Sequence, residues 1–280
     1  MFKRFNQKHL LLQEILGRVV RIESTINFFY DNFEIYGQGN DLFYLEKELE
    51  TRRLTKEFRR PFIKKTPKIS VIIPVSRSLE IIVKAIESVL AQTYNHFELL
   101  LISETDRPDI KKFLKSKNDK RIIFIVDSPR SRVVGKWPNW NHSGGKSRSL
   151  GIRKAKGDFF TFLDDDDLML PDKLKTCLLF AQANMLEVVG HLEGTKHNNK
   201  IVQLRVNKVE KTRRYHDATI EYLGLNTNTL FIHNYFLFMT WPVFNHKNLR
   251  ANDQVYIRML FSCKPVYKLL PQILTLSKLN

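Results

Sequence analysis

The residues best suited to chemistry lie between Gly157 and Pro171, GDFFTFLDDDDLMLP, where an apolar run ends in four consecutive carboxylates, Asp164, Asp165, Asp166 and Asp167. Two unit charges about 4 Å apart repel by roughly 4 kcal/mol at an effective dielectric near 20, so the cluster calls for a neutralising cation, and a divalent metal is the obvious candidate. Side chains alternate along an extended chain, which puts Asp164 and Asp166 on one side and Asp165 and Asp167 on the other, with one pair facing a ligand. Mg²⁺ or Mn²⁺ at the carboxyl end of a strand in an open α/β sheet usually shares its shell with substrate phosphates, which points to a diphosphate substrate. The plainer reading is a solvated acidic turn that caps the next helix.

The elements that must position these acids follow from the texture beyond Lys68. SVIIPV, ELLLIS, RIIFIV and DFFTFL read as buried strands, and LEIIVKAIESVLAQT, DIKKFLKSK and GKSRSLGIRKAKG as the helices between them. This βαβαβαβ order without hairpin signals predicts an α/β fold with a mainly parallel sheet, right-handed crossovers and flanking helices. Its ligand belongs at the carboxyl ends of the strands. After Pro171 the helix DKLKTCLLFAQANM is expected, then mixed strands around IVQLRV and TLFIHNYFLFM, the helix NDQVYIRMLFS and a terminal strand near VYKLLP.

Ahead of this domain, Leu12, Ile15, Val19, Ile22, Ile26, Phe29, Phe33 and Tyr36 follow the 3-4-3-4 spacing of a long amphipathic helix. The pattern permits a coiled-coil homodimer or a single helix folded against its own domain; the aromatic Phe29 and Phe33 suit the second better. A second helical stretch, DLFYLEKELETRRLTKEF, leads into a tract crowded with Arg52, Arg53, Lys56, Arg59, Arg60, Lys64, Lys65 and Lys68. Such a run is either a solvated face or a patch that holds the protein on anionic lipid.

The formal charge of +17 implies a polyanionic neighbour, and a chain that is 43% hydrophobic can bury a sizeable core. Cys177 and Cys263, far apart and in apolar surroundings, read as buried reduced thiols of a cytosolic protein. No run of eighteen apolar residues occurs, and the start has too short an apolar stretch for export. No GxGxxG or P-loop motif appears, and the histidines show no ligand spacing, so neither a dinucleotide fold nor a zinc site is expected.

PKISVIIPV, the helix ending SVLAQTY, the strand FELLLIS and the segment GKSRSLGIRKAKGDFFTFLDDDDLMLPDKL together resemble the nucleotide-diphospho-sugar glycosyltransferases of family 2, which have the GT-A fold. The resemblance is close from Lys68 to Leu174 and loose beyond. With the amphipathic helical extension and basic linker read over residues 1–66, it implies a GT-A domain over 67–280, with a nucleotide-sugar half (67–175) and an acceptor half (176–280). Asp164 to Asp167 fall on the family's LDADD. The resemblance gives Asp166 and Asp167 to Mn²⁺ or Mg²⁺ and Asp164 and Asp165 to donor binding, Asp164 near the ribose or sugar and Asp165 at the variable place of the motif. Arg148 falls on the arginine of ARN-x-G, which helps bind the donor, and Pro74, also given to the donor, opens the counterpart of PVYN.

The chain departs from the family pattern twice. Ser76 and Arg77 follow Pro74 and Val75 where PVYN has an aromatic and an asparagine, and Ser103 and Glu104 stand where VDDGS has two aspartates. Glu104 can still accept the imide N–H of uracil, and UDP is the favoured carrier. Asp253, opening NDQVYIRML with Asn252 in place of the usual glutamate and followed by Arg258, resembles the late ED motif. By that resemblance it is the general base that takes the acceptor's proton; by its position it also suits a helix N-cap.

The long connection DSPRSRVVGKWPNWNHSGGKS reads as a lid over the donor, with Trp137 and Trp140 either stacking a sugar or anchoring the loop, and His142 structural. The expected function is therefore a metal-dependent, inverting transfer of a sugar from a nucleoside diphosphate to a glycan or lipid-linked glycan, in the cytoplasm or at the inner face of the membrane. Two rivals are carried with it. A sugar-nucleotide nucleotidyltransferase shares the fold but usually has a glycine-rich basic loop after the first strand, which PVSRSLE is not. A non-catalytic scaffold on this fold would bind membrane or nucleic acid through the basic region, nucleic acid being the less favoured.

Overall fold

The computed structural model describes residues 50–127, 144–197, 200–203, 225–239, 256–257, 260–261 and 263–277. The amphipathic pattern of the first forty residues, the tryptophan-bearing connection and Asp253 lie outside the described residues. The chain divides into two compact units, Met1–Thr55 and Lys56–Asn280, and every described strand belongs to the second.

That boundary falls ahead of the one expected at 66/67, because part of the basic tract is a helix packed on the core. The helical run anticipated through Leu54 is broken there by a turn in which the Thr55 hydroxyl donates to the Arg52 carbonyl at 2.7 Å. Helix α1 (Lys56–Ile63) then buries Phe58, Pro61 and Phe62 and leaves Lys56, Arg59 and Arg60 in solvent.

The strands are β1 (Ile69–Val75), β2 (Phe97–Ser103), β3 (Ile122–Val126), β4 (Phe159–Phe162), β5 (Leu168–Met169), β6 (Val188–His197), β7 (Lys200–Gln203), β8 (Leu230–His233) and β9 (Tyr267–Leu276). Among the described residues they form one sheet in the order β3-β2-β1-β4-β8-β6-β9-β5, with β7 on β6. From β3 to β4 all pairings are parallel. Beyond β4, only β6 with β9 is parallel. Helices α2 (Leu79–Leu90), α3 (Pro108–Lys117) and α4 (Gly145–Lys154) make the crossovers, and α5 (Lys173–Asn184) follows β5.

β1 and β2 are buried at every position, as strands covered on both faces must be, and this is why SVIIPV and ELLLIS read as unbroken apolar runs. α2 buries Ile82, Ala85, Ile86 and Val89, an i, i+3, i+4, i+7 stripe. α4 approaches β1 closely because residue 151 is glycine: a Cβ there would meet Ile72 Cγ2 at 2.4 Å. That approach brings the first turn of α4 to the carboxyl ends of the strands.

Two elements differ from the sequence reading. β6 carries Gly190, His191 and Gly194 after a short apolar start, so no strand pattern announces it; its pairing with β8 and β9 makes it a strand. The apolar run TLFIHNYFLFM is only briefly a strand, because the ring of His233 caps a 3₁₀ turn at Asn234–Phe238 and takes the chain out of the sheet.

His233 is locked by its own bonds. Its Nδ1 accepts the Tyr235 N–H at 3.0 Å, which leaves the ring proton on Nε2 to donate to the Phe58 carbonyl at 3.1 Å. Phe62 stacks on the ring at a centroid distance of 4.9 Å. Burial pushes its pKa down from 6.5 to about 4. Between those values the unfolded chain binds a proton that the folded protein refuses, so stability is full above about pH 6.5 and falls as pH drops toward 4, by about 3 kcal/mol in all. The His233→Gln variant should be less stable than the parent at pH 7 yet lose less between pH 7 and 4.5, as read by urea midpoints. Equal losses in the two proteins would show that His233 is not the acid-sensitive group.

Candidate active site

β1, β2 and β3 step outward on one side, and α4 carries the chain back to β4 on the other side of β1. The carboxyl ends of β1 and β4 therefore flank a topological switch point, the crevice where open α/β sheets hold ligands. From β1 comes the loop Pro74 to Arg77, and from β4 the acid run.

β4 ends at Phe162, so the acids sit on a turn and not on a strand, closed by the Asp167 N–H to the Asp164 carbonyl at 3.1 Å. Burial still alternates along it: Asp165 and Asp167 are buried, Asp164 and Asp166 half-buried.

Each carboxylate has a partner inside the protein. Asp165 Oδ2 accepts the N–H groups of Ser76 at 2.5 Å and Arg77 at 2.7 Å, and the Ser76 hydroxyl at 3.1 Å. Asp166 Oδ2 takes Nη2 of Arg77 at 3.0 Å. Asp164 is ion-paired with Arg148 Nη2. Asp167 Oδ2 accepts Nδ2 of Asn228 at 2.5 Å, while Oδ1 of the same asparagine accepts the Asp164 N–H at 3.0 Å. The repulsion that a metal was expected to cancel is thus already offset by two guanidinium groups, backbone N–H donors and one amide.

Asn228, on the 3₁₀ turn Thr227–Thr229, spans the acid turn and is itself anchored. Its carbonyl accepts Lys173 Nζ at 2.6 Å, and Lys173 also reaches Thr275 Oγ1 at 3.2 Å. Lys173 is fully buried, and burial lowers its pKa from 10.5 to about 8.

Arg148 is nearly enclosed in the first turn of α4. Gly144, at the helix N-cap with φ +65°, makes room for it: a Cβ there would stand 3.0 Å from Arg148 Nη1 and 3.1 Å from Pro74 Cβ. At the neighbouring strand ends, half-buried Glu104 follows β2, and buried Asp127 follows β3 in an ion pair with Lys146 of α4 at 2.5 Å. Arg107 donates to the Arg77 carbonyl at 3.0 Å. The crevice sets Arg77, Arg148 and Lys146, with the positive end of α4, against the carboxylates of the acid turn and Asp127.

The structure brings Pro74, Arg148 and Asp164 to Asp167 together and sets Glu104 at the next strand end. It gives Asp165, assigned to the donor from sequence, a hold on the β1–α2 loop, and turns Asp167, assigned to the metal, inward onto Asn228. Among the described residues no cluster of three or more His, Cys, Asp or Glu could hold a metal by itself. Sequence reasoning missed Arg77, Asn228 and Lys173. Arg77 was visible as a charge in place of the asparagine of PVYN, whereas Lys173 looks like any polar position of a surface helix.

A family profile described as "Glycosyl transferase family 2" matches residues 70–241, more than half of the chain. An uncharacterised glycosyltransferase of Rickettsia felis is 36% identical over 134 residues, 48% of this chain and 20% of that protein. The GalNAc(5)-diNAcBac-PP-undecaprenol beta-1,3-glucosyltransferase of Campylobacter jejuni is 27% identical over 147 residues, 52% of this chain and 44% of that protein. The chain spans less than half the length of either relative. Among solved structures, S. aureus TarS 1-349 in complex with UDP-GlcNAc shares the fold, with a TM-score of 0.54 at 17% identity over 76% of this chain and 59% of that one.

The bonds to Asp165 predict an ordering of stabilities. Asp165→Ala strands two backbone N–H donors and should cost about 1–3 kcal/mol, whereas Ser76→Ala removes one long contact and should cost under about 1 kcal/mol. Denaturant midpoints check this, and an equal cost would remove Asp165 as the anchor of the loop.

Proposed function

The chain belongs to glycosyl transferase family 2, and from that premise we propose that it moves a sugar from a nucleoside diphosphate, UDP being favoured, to a hydroxyl of a glycan or lipid-linked glycan with inversion. The observation that carries this reading is the acid turn facing the Pro74–Arg77 loop across the switch point, with Arg148 between them. The UDP preference is supported by Glu104 at the end of β2, where it can accept the imide N–H of uracil, and by the UDP-GlcNAc bound to TarS.

The donor set fits a hard divalent cation. Asp166 and Asp164 offer carboxylate oxygens on the accessible side of the turn, while Asp165 and Asp167 are engaged with Ser76, Arg77 and Asn228. One or two carboxylates are what Mn²⁺ or Mg²⁺ needs when a diphosphate completes its shell. Asp166 is the proposed ligand, with Asp167 holding the turn through Asn228. When bound, the ion supplies positive charge for the leaving diphosphate.

The remaining steps belong to the chain's own residues. Arg148 is buried and held by Asp164 in the space that Gly144 leaves, so that its guanidinium stands at the donor crevice without having to be ordered on binding. Asp253 is the proposed general base, taking the acceptor hydroxyl's proton as the new bond forms. It opens the segment whose Tyr256 and Ile257 are buried in the domain.

Among the described residues no helix is long and apolar enough to cross a membrane. The basic tract divides in two: Lys64 and Lys68 are committed to Asp158 and Glu98, at 2.7 and 2.6 Å, while Lys56, Arg59, Arg60 and Lys65 are exposed. The exposed set is the proposed contact with anionic lipid at the inner face of the membrane.

Calorimetric titration of UDP, with GDP for comparison, with and without Mn²⁺, tests the reading. UDP should bind in a metal-dependent way and bind more tightly than GDP, and Asp166→Asn should weaken the metal-dependent part at least tenfold with the fold intact. Absence of binding by both nucleotides in the parent protein would overturn the donor assignment.

A further inference from the structure

Arg77 is placed unlike the other cations of the crevice. Its backbone is clamped, with the N–H on Asp165 Oδ2 at 2.7 Å and the carbonyl accepting from Arg107 at 3.0 Å. Its side chain is 49% exposed and lies over two carboxylates, Nη2 at 3.0 Å from Asp166 Oδ2 and Nε at 3.9 Å from Asp165 Oδ1. A fixed pivot with a half-solvated arm can change partners at small cost, since an ion pair this exposed is worth about 1 kcal/mol or less. By contrast Arg148 is 4% exposed and ion-paired with Asp164.

Asp166 is the carboxylate proposed above for the divalent ion, and Arg77 rests on it from the β1–α2 loop on the opposite wall of the switch-point crevice. A guanidinium and a divalent cation at one carboxylate repel each other. We infer that Arg77 is a resident counter-ion of the metal position: it holds Asp166 in the absence of donor, yields that oxygen to the divalent ion, and turns its fork to the donor diphosphate. The sequence supports the inference, because an arginine stands where the resemblance to PVYN would place an uncharged asparagine. A bidentate donor there recognises phosphate oxygens, which asparagine does far less strongly. The inference rests on the donor reading above and adds to it a residue with two exclusive partners.

The two partners give the test opposite signs. In Arg77→Ala, Mn²⁺ alone, titrated without nucleotide, should bind about threefold to tenfold more tightly than in the parent, because a competing cation has gone. In the same variant at saturating Mn²⁺, UDP should bind about tenfold more weakly and UMP nearly as before, because the lost contact is to the terminal phosphate. Arg77→Lys should lie between the two in both titrations. A role confined to holding the loop would weaken both ligands together and lower the thermal midpoint. Unchanged or weaker Mn²⁺ binding in Arg77→Ala, or no Mn²⁺ binding by either protein, would overturn the competition. A UDP affinity unaffected by the substitution would overturn the transfer to the diphosphate. Failure of the parent to bind UDP at all would instead strike the donor reading, while the metal titration would still judge Arg77.

Discussion

Charge balance at the end of β4 is the constraint on which the rest of the site depends. Four adjacent carboxylates follow a fully buried strand, where solvent alone cannot screen them. Each must find a donor or a cation from another part of the chain. Those partners come from four places: the β1–α2 loop, the first turn of α4, the 3₁₀ turn before β8, and, behind it, a buried lysine of α5. Satisfying the acids thus ties the parallel strands β1 and β4 to the 3₁₀ turn before β8, and the geometry of the crevice follows from it. Asp165 fixes the loop that presents Arg77, Asp164 fixes Arg148, and Asn228 fixes the two ends of the turn against Lys173.

The topology supplies the place for this balance. Reversal of the strand order on either side of β1 leaves a gap between the carboxyl ends of β1 and β4, and α4 enters it with its positive end and its arginine. Gly151 and Gly144 make that entry sterically feasible, the first by letting the helix touch β1 and the second by leaving space for a guanidinium beside Pro74.

The parallel half of the fold was legible in the sequence because its strands are covered on both faces and so appear as unbroken apolar runs, while their helices show a 3.6-residue stripe. The second half was less legible. β6 has glycine and histidine where a strand pattern would have apolar residues, and its identity comes from β8 and β9 on either side. The run TLFIHNYFLFM has the composition of a strand throughout, yet His233 bonds to Tyr235 and ends it after four residues. The basic tract before Pro67 reads as a linker by charge, although Phe58 and Phe62 inside it are core residues.

By itself the sequence determined the parallel α/β framework, the strand end at which the acids lie, and the candidates Arg148 and Asp164 to Asp167, because those follow from local periodicity and from the ordered motifs of a family. Only the tertiary structure decided how the carboxylates are divided. Asp165 and Asp167 are turned to structural partners, and Asp164 and Asp166 to the crevice, because a turn closed across residues 164–167 meets Ser76, Arg77 and Asn228 from segments about sixty to ninety residues distant. Contacts at that separation depend on which strands lie side by side, and no local pattern of residues records this.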